Sequence, residues 1–119
     1  MTKNSPVSVP HPAEALVLAR IPASVRERAA AVRLMVFDVD GVLTDGGLYY
    51  GEHGEMFKRF HALDGHGLRL LMEGGLKVAL ITGRSGPIAD RRAAELGIAE
   101  VLQGVRDKGG ALSELAQRV

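Results

Sequence analysis

Residues 32–46 read VRLMVFDVDGVLTDG, an apolar run that ends in two carboxylates two residues apart and then a glycine. The length of VRLMVF and its glycine-bearing exit predict a buried strand over 32–37. In extended chain, side chains i and i+2 point the same way, so Asp38 and Asp40 can address one site. Gly41 then lets the chain turn away and a ligand approach the backbone closely. Whatever fold the chain adopts must carry that strand through a core and deliver both acids at its carboxyl end.

The rest of the chain supplies the alternation such a fold needs. Asp64 predicts the cap of a helix with Leu68, Leu71 and Met72 at three- and four-residue spacing, ended by Gly74-Gly75. LKVALI, residues 76–81, is a second apolar strand. Pro87 suits the first turn of another helix, which Gly97 closes. EVLQ, residues 100–103, is a third strand, and Asp107 caps a last helix carrying Ala111, Leu112 and Leu115. Before the first of these helices, GGLYYGEHGEMFKRF reads as a hairpin turning at Gly51-Glu52-His53-Gly54. Alternating strands and helices predict an α/β fold, a parallel sheet with right-handed crossovers and flanking helices. Four of the five prolines lie in the first 22 residues. Residues 1–31 are therefore expected to form a loose leader and then a short helix from Ile21, capped by Ser24. Residues 32–119 form the domain.

Composition narrows the class. A length of 119 residues suits one core. Fifteen basic residues against fourteen acidic ones leave a net charge of +1, with no footprint for nucleic acid or an anionic membrane. Cysteine is absent, which removes disulfides and thiolate metal sites. No apolar run reaches the roughly 18 residues of a membrane span. AEALVLA, interrupted by Glu14, lacks the basic flank of a signal peptide. A cytoplasmic protein with a small-molecule ligand is the expectation.

In parallel sheets ligands bind outside the carboxyl ends of the strands, so the residues there carry the chemistry. Crowded acids repel unless a cation or shared proton relieves them, and Mg²⁺ held by one or two carboxylates is the natural relief. A calcium loop would need an acid or amide at 42, where Val42 stands. Simple Asp-Gly turn chemistry is the other reading of the same dipeptide. ITGR ends the second strand with the Thr82 hydroxyl and the Gly83 N–H at the same edge. Lys108 stands in the first turn of the last helix, where the helix dipole disfavours a cation, so an anion nearby is expected to hold it. Two acids, a hydroxyl and a lysine on three strand ends fit phosphoryl transfer.

DVDGVLTDG, ITGR and the lysine of QGVRDKGG resemble the first three motifs of haloacid dehalogenase-like (HAD) phosphatases. The hairpin in place of a cap domain, followed by an F-x-x-x-DG-x-G-type stretch, is similar to the capless branch that dephosphorylates a 3-deoxy sugar acid in bacterial lipopolysaccharide synthesis. The resemblance covers roughly residues 32–118. It implies that Asp38 is the nucleophile, forming an aspartyl-phosphate. Asp40 is implied as the acid and base, its carbonyl helping Asp38 bind Mg²⁺. Thr82 and Gly83 would contact the phosphoryl oxygens and Lys108 would offset their charge. It further implies a homotetramer in which one subunit's hairpin closes its neighbour's site. Lys58, Arg59 and Arg84 are the candidates for the sugar acid's carboxylate.

The family's fourth motif, G-D-D-x-x-D, has no match in this sequence. The expectation is a partial domain with an incomplete metal site, in which the strand bearing Asp38 becomes a sheet edge. A non-catalytic oligomerisation module, or an inactive fragment, is the competing reading.

Overall fold

The computed structural model describes residues 11–119. The chain divides between Val32 and Arg33 into two units. In the first, α1 spans Pro12–Ala19 and α2 spans Ala23–Ala30. The expected loose leader is therefore helical from residue 12 onward, while Pro6 and Pro10 lie outside the described residues. Pro12 starts a helix instead of preventing one, because the first helical position has no use for an N–H. The His11 side chain accepts from the Ala13 N–H at 3.0 Å and caps α1. The expected Ser24 cap is corrected too. Pro22 holds the cap position of α2, with no side-chain capping bond, and Ser24 lies within the helix.

The second unit runs β1 (Leu34–Phe37), β2 (Tyr49–Gly51), β3 (Gly54–Phe57), α3 (Ala62–Glu73), β4 (Lys77–Ile81), α4 (Pro87–Leu96), β5 (Glu100–Leu102) and α5 (Lys108–Arg118). The strands β1, β4 and β5 form a parallel sheet in the order β1-β4-β5. The antiparallel pair β2-β3 is the expected hairpin, turning at Glu52-His53.

Alternation along β4 decides how the layers pack. Val78 and Leu80 face one way, into a cluster with Leu68 of α3 and Ala89, Ala93 and Leu96 of α4. Ala79 and Ile81 face the other way, against Leu115 of α5. Such burial on both faces is what a central parallel strand requires. Helix α3 starts three residues earlier than an Asp64 cap predicts. His61 is its cap, accepting from Leu63 N–H at 3.0 Å, and Asp64 sits in the first turn, where a carboxylate complements the helix dipole. Gly97 closes α4 in a left-handed conformation at φ 81°.

Among the described residues β1 pairs only with β4, so it is an edge, and all four of its residues are half-buried. Beside it lies an apolar cavity of about 450 Å³, lined by Met35, Phe37, Leu43, Leu63 and Leu71 among others.

Leu80 is 1% exposed at the centre of the sheet. Leu80→Ala should cost about 3 kcal/mol in urea unfolding, from lost transfer energy and the cavity left behind.

Candidate active site

The same alternation places the acids. Leu34 and Val36 pack on the α5 side of the sheet, so Asp38, next in that series, emerges towards the start of α5. Lys108 opens α5, and its Nζ lies 2.8 Å from Asp38 Oδ2. The anion that the helix start demanded is the Asp38 carboxylate. Its other oxygen accepts from the Val39 N–H at 2.7 Å.

Val39 is fully buried between the acids. Its carbonyl accepts from the N–H groups of Val42, Leu43 and Thr44, which curls 39–44 into a tight loop. Thr44 Oγ1 accepts from both Gly41 and Gly46 N–H at 3.1 Å and closes that loop. Gly41 sits at φ 80°, a conformation that side chains other than glycine disfavour. Thr44 is thus a structural part of the site that motif reading passed over, although it stands inside the quoted stretch.

Beyond the loop, Asp40 meets the hairpin. Lys58 Nζ donates to Asp40 Oδ1 at 2.7 Å and to Glu55 Oε2 at 2.9 Å, with its side chain only 6% exposed. Arg84, two residues past Thr82, approaches both acids, with Nε 3.9 Å from Asp40 Oδ2 and Nη2 3.8 Å from Glu55 Oε2. Glu55 is the site residue that sequence reasoning missed. Its only signal was a carboxylate three residues before Lys58 on the hairpin. The hairpin's first strand is held by Tyr49, whose hydroxyl donates to Asp45 at 2.6 Å and whose ring lies 4.3 Å from that of Phe57.

Thr82 is 2% exposed at the end of β4, one position past Ile81, which pairs with Leu102 of β5. Its Oγ1 accepts from the Arg84 N–H at 3.3 Å, across Gly83. The structure therefore gathers Asp38, Asp40, Thr82, Gly83, Lys108, Lys58 and Arg84 at the carboxyl ends of the strands and the hairpin. Arg59 is set apart. It is exposed and lines a separate cavity with Thr44, Asp45, Phe60 and His61.

Charge balance follows from these contacts. Partial burial pushes the Asp38 carboxyl up, but the Lys108 hydrogen bond, the Val39 N–H and the Lys108 charge outweigh it and hold it below the usual 3.8. For Lys58, burial favours losing the charge, while hydrogen bonds to Asp40 and Glu55 and their attraction prevail and lift it above 10.5. No cluster of three or more His, Cys, Asp or Glu side chains gathers among the described residues. The oxygen donors available for a metal are the Asp38 carboxylate and Asp40. That set fits Mg²⁺, which takes one or two protein carboxylates and completes its shell with water and phosphate oxygens.

No family model matches the chain. Over 99 residues it is 40% identical to the 3-deoxy-D-manno-octulosonate 8-phosphate phosphatase of Escherichia coli, covering 83% of this chain and 53% of that protein. The Yersinia pestis enzyme of the same name is 46% identical over 89 residues, 75% of this chain and 48% of that one. Among solved structures, the Moraxella catarrhalis phosphatase of that name, in complex with magnesium ion, phosphate ion and the sugar acid KDO, superposes with a TM-score of 0.76 at 42% identity. That match covers 80% of this chain and 55% of the other. Fold, motif spacing and these matches make the chain a member of the haloacid dehalogenase-like superfamily. Within it, the chain is a homologue of the 3-deoxy-D-manno-octulosonate 8-phosphate phosphatases. It spans about half the length of the curated relatives it matches.

Two outcomes test the charge balance. Lys58→Met leaves two partly buried carboxylates with only the longer approaches of Arg84 to offset them and should cost about 3 kcal/mol in chemical denaturation, the lower end for a broken buried pair. The second is a pH dependence. Because folding depresses the Asp38 pKa, its pairing stabilises the protein above the unfolded value near 3.8 and is lost as pH falls through the folded value. In EDTA-containing buffer, Lys108→Met should therefore flatten the loss of thermal stability between neutral and acidic pH.

Proposed function

We propose that this chain carries the phosphoryl-transfer half of a Mg²⁺-dependent phosphatase that hydrolyses 3-deoxy-D-manno-octulosonate 8-phosphate to the free sugar acid and phosphate in lipopolysaccharide synthesis. The observation that carries the reading is the Lys108–Asp38 contact at 2.8 Å, made where two parallel strands end beside buried Thr82.

In this reading Asp38 attacks the phosphorus, the bond to the sugar's O8 breaks, and an aspartyl-phosphate forms. Asp40 acts as the general acid, delivering a proton to the departing O8. It then takes a proton from the water that attacks phosphorus, and phosphate leaves as the Asp38 carboxylate is restored. Thr82 and the Gly83 N–H donate to the phosphoryl oxygens, and Lys108 offsets charge gathering there. Of the three cations expected for the sugar acid's carboxylate, Lys58 and Arg84 border the cavity beside Thr82, whereas Arg59 lines a separate one. Bound through Asp38 and the Asp40 carbonyl, Mg²⁺ would supply charge neutralisation at the phosphoryl group.

The same reading places the protein in the cytoplasm as a homotetramer, with the hairpin as part of the subunit contact. No helix among the described residues is long and apolar enough to cross a membrane, which accords with it. So do Tyr50, Met56 and Phe57, apolar residues that the hairpin leaves exposed.

The test is Mg²⁺-dependent phosphate release from 3-deoxy-D-manno-octulosonate 8-phosphate by the purified chain. Asp38→Asn should lower turnover at least about 10³-fold with the fold intact, and Thr82→Ala about 10²-fold. Chelation of Mg²⁺ should abolish it. Folded protein that releases no phosphate, or full activity in Asp38→Asn, would count against the proposal.

A further inference from the structure

Of the two oxygens on the Asp40 side chain, one is taken and one is open. Oδ1 accepts from Lys58 Nζ at 2.7 Å, and that lysine is almost wholly withdrawn from solvent. Oδ2 faces Arg84 Nε at 3.9 Å, beyond hydrogen-bonding range. The Arg84 Nε is itself buried and has no hydrogen-bond partner. Asp40 therefore stands as an acceptor between two cations, well placed to take a proton and badly placed to give one. Asp38 is presented differently. Its side chain is 34% exposed, and beyond the bonds from Lys108 and the Val39 N–H each oxygen keeps a lone pair.

The two halves of a phosphatase cycle ask opposite things of Asp40. Attack by Asp38 on a phosphate ester expels an alkoxide, which needs a proton from a general acid. Hydrolysis of the aspartyl-phosphate needs only a base. The observed contacts serve the second demand directly. The first demand disappears when the leaving group is a carboxylate, because carboxylic acids ionise at about pH 4 and depart without a proton. An acyl phosphate is such a donor. Its phosphoryl group moves from one carboxylate to another, so the bond broken and the bond formed are of the same kind.

We propose that the site has a second activity, hydrolysis of small acyl phosphates, in which Asp40 acts as a base alone. An Asp38 oxygen attacks phosphorus, the P–O bond to the acyl group breaks, and the carboxylate leaves with the bonding electron pair. Asp40 Oδ2 then takes a proton from the water that attacks phosphorus. Phosphate departs, the Asp38 carboxylate is restored, and Asp40 gives its proton to solvent. The sum is acyl phosphate and water to carboxylate, phosphate and a proton. The inference rests on the phosphatase reading, because it needs Asp38 as nucleophile and the phosphoryl group seated at Thr82 and Lys108. It goes beyond that reading in the class of donor and in the acid role it removes from Asp40.

The probe is acetyl phosphate, offered to the full chain in magnesium chloride beside 3-deoxy-D-manno-octulosonate 8-phosphate. Wild type should release phosphate from acetyl phosphate at least about tenfold faster than Asp38→Asn does. Asp40→Asn is the sharper case, because asparagine neither gives nor takes the proton. Acetyl phosphate should phosphorylate this variant lastingly, with the added group located at Asp38 by tandem mass spectrometry and removed by hydroxylamine. The sugar ester should leave the same variant unlabelled. Circular dichroism confirms the fold of each variant, and if Asp40→Asn does not fold the comparison of wild type with Asp38→Asn decides alone. Folded Asp40→Asn that acetyl phosphate leaves unlabelled, or a label that persists in Asp38→Asn, overturns the proposal. So does equal labelling by both donors, which removes the leaving group as the deciding feature. Wild type that hydrolyses the sugar ester but not acetyl phosphate overturns the proposal and leaves the phosphatase reading standing. Wild type inert towards both donors removes both.

Discussion

Parallel strands cannot be joined by a tight turn, and each crossover between them lays a helix on one face of the sheet. In this chain that requirement centres on β4, paired on both edges and buried on both faces. Val78 and Leu80 hold α3 and α4, while Ala79 and Ile81 hold α5. All three strands run the same way, so the chain leaves each at the same end. Asp38, Thr82 and the turn leading to Lys108 are brought together by the topology alone. The Phe37–Leu80 and Ile81–Leu102 pairings fix their relative heights.

Two charge clusters sit on that frame, and they differ in character. Lys108 is 49% exposed and holds Asp38 through a single contact, so it is free to follow an arriving anion. Lys58 is enclosed and held by two carboxylates at once. The first cluster can rearrange around a phosphoryl group, whereas the second is fixed and sets where Asp40 points. Exposed pairs contribute little to stability, while a buried cation between two acids is costly to remove. Reactivity and rigidity are thus assigned to different lysines.

Much of this was legible in the sequence because the length of apolar runs, glycine punctuation and helix caps are local signals. The three parallel strands, the hairpin, the Asp107 cap and the anion expected beside Lys108 all follow from them. The errors arose where a residue had two local uses. Asp64 can cap a helix or complement its dipole, and the His61 side chain, one turn earlier, took the cap. Pro12 can break a helix or start one, and position decided. What could not be read were contacts across the fold. The Lys58–Asp40 pair joins residues 18 apart along the chain. The partnerless Arg84 Nε depends on the hairpin's placement over β4's end, which no spacing in the sequence encodes.

The Lys58–Glu55 pair also bears on how such domains diversify. A hairpin on the rim of a sheet looks like an accessory that recombination could exchange freely. Here it carries the counter-charge of an acid belonging to the strand beneath it, 2.7 Å away. A foreign hairpin grafted onto this frame must bring its own lysine and glutamate, or it strands Asp40 beside an unneutralised neighbour. The hairpin and the DVDG loop are therefore coupled through one charge cluster, and a charge change in either must be matched in the other.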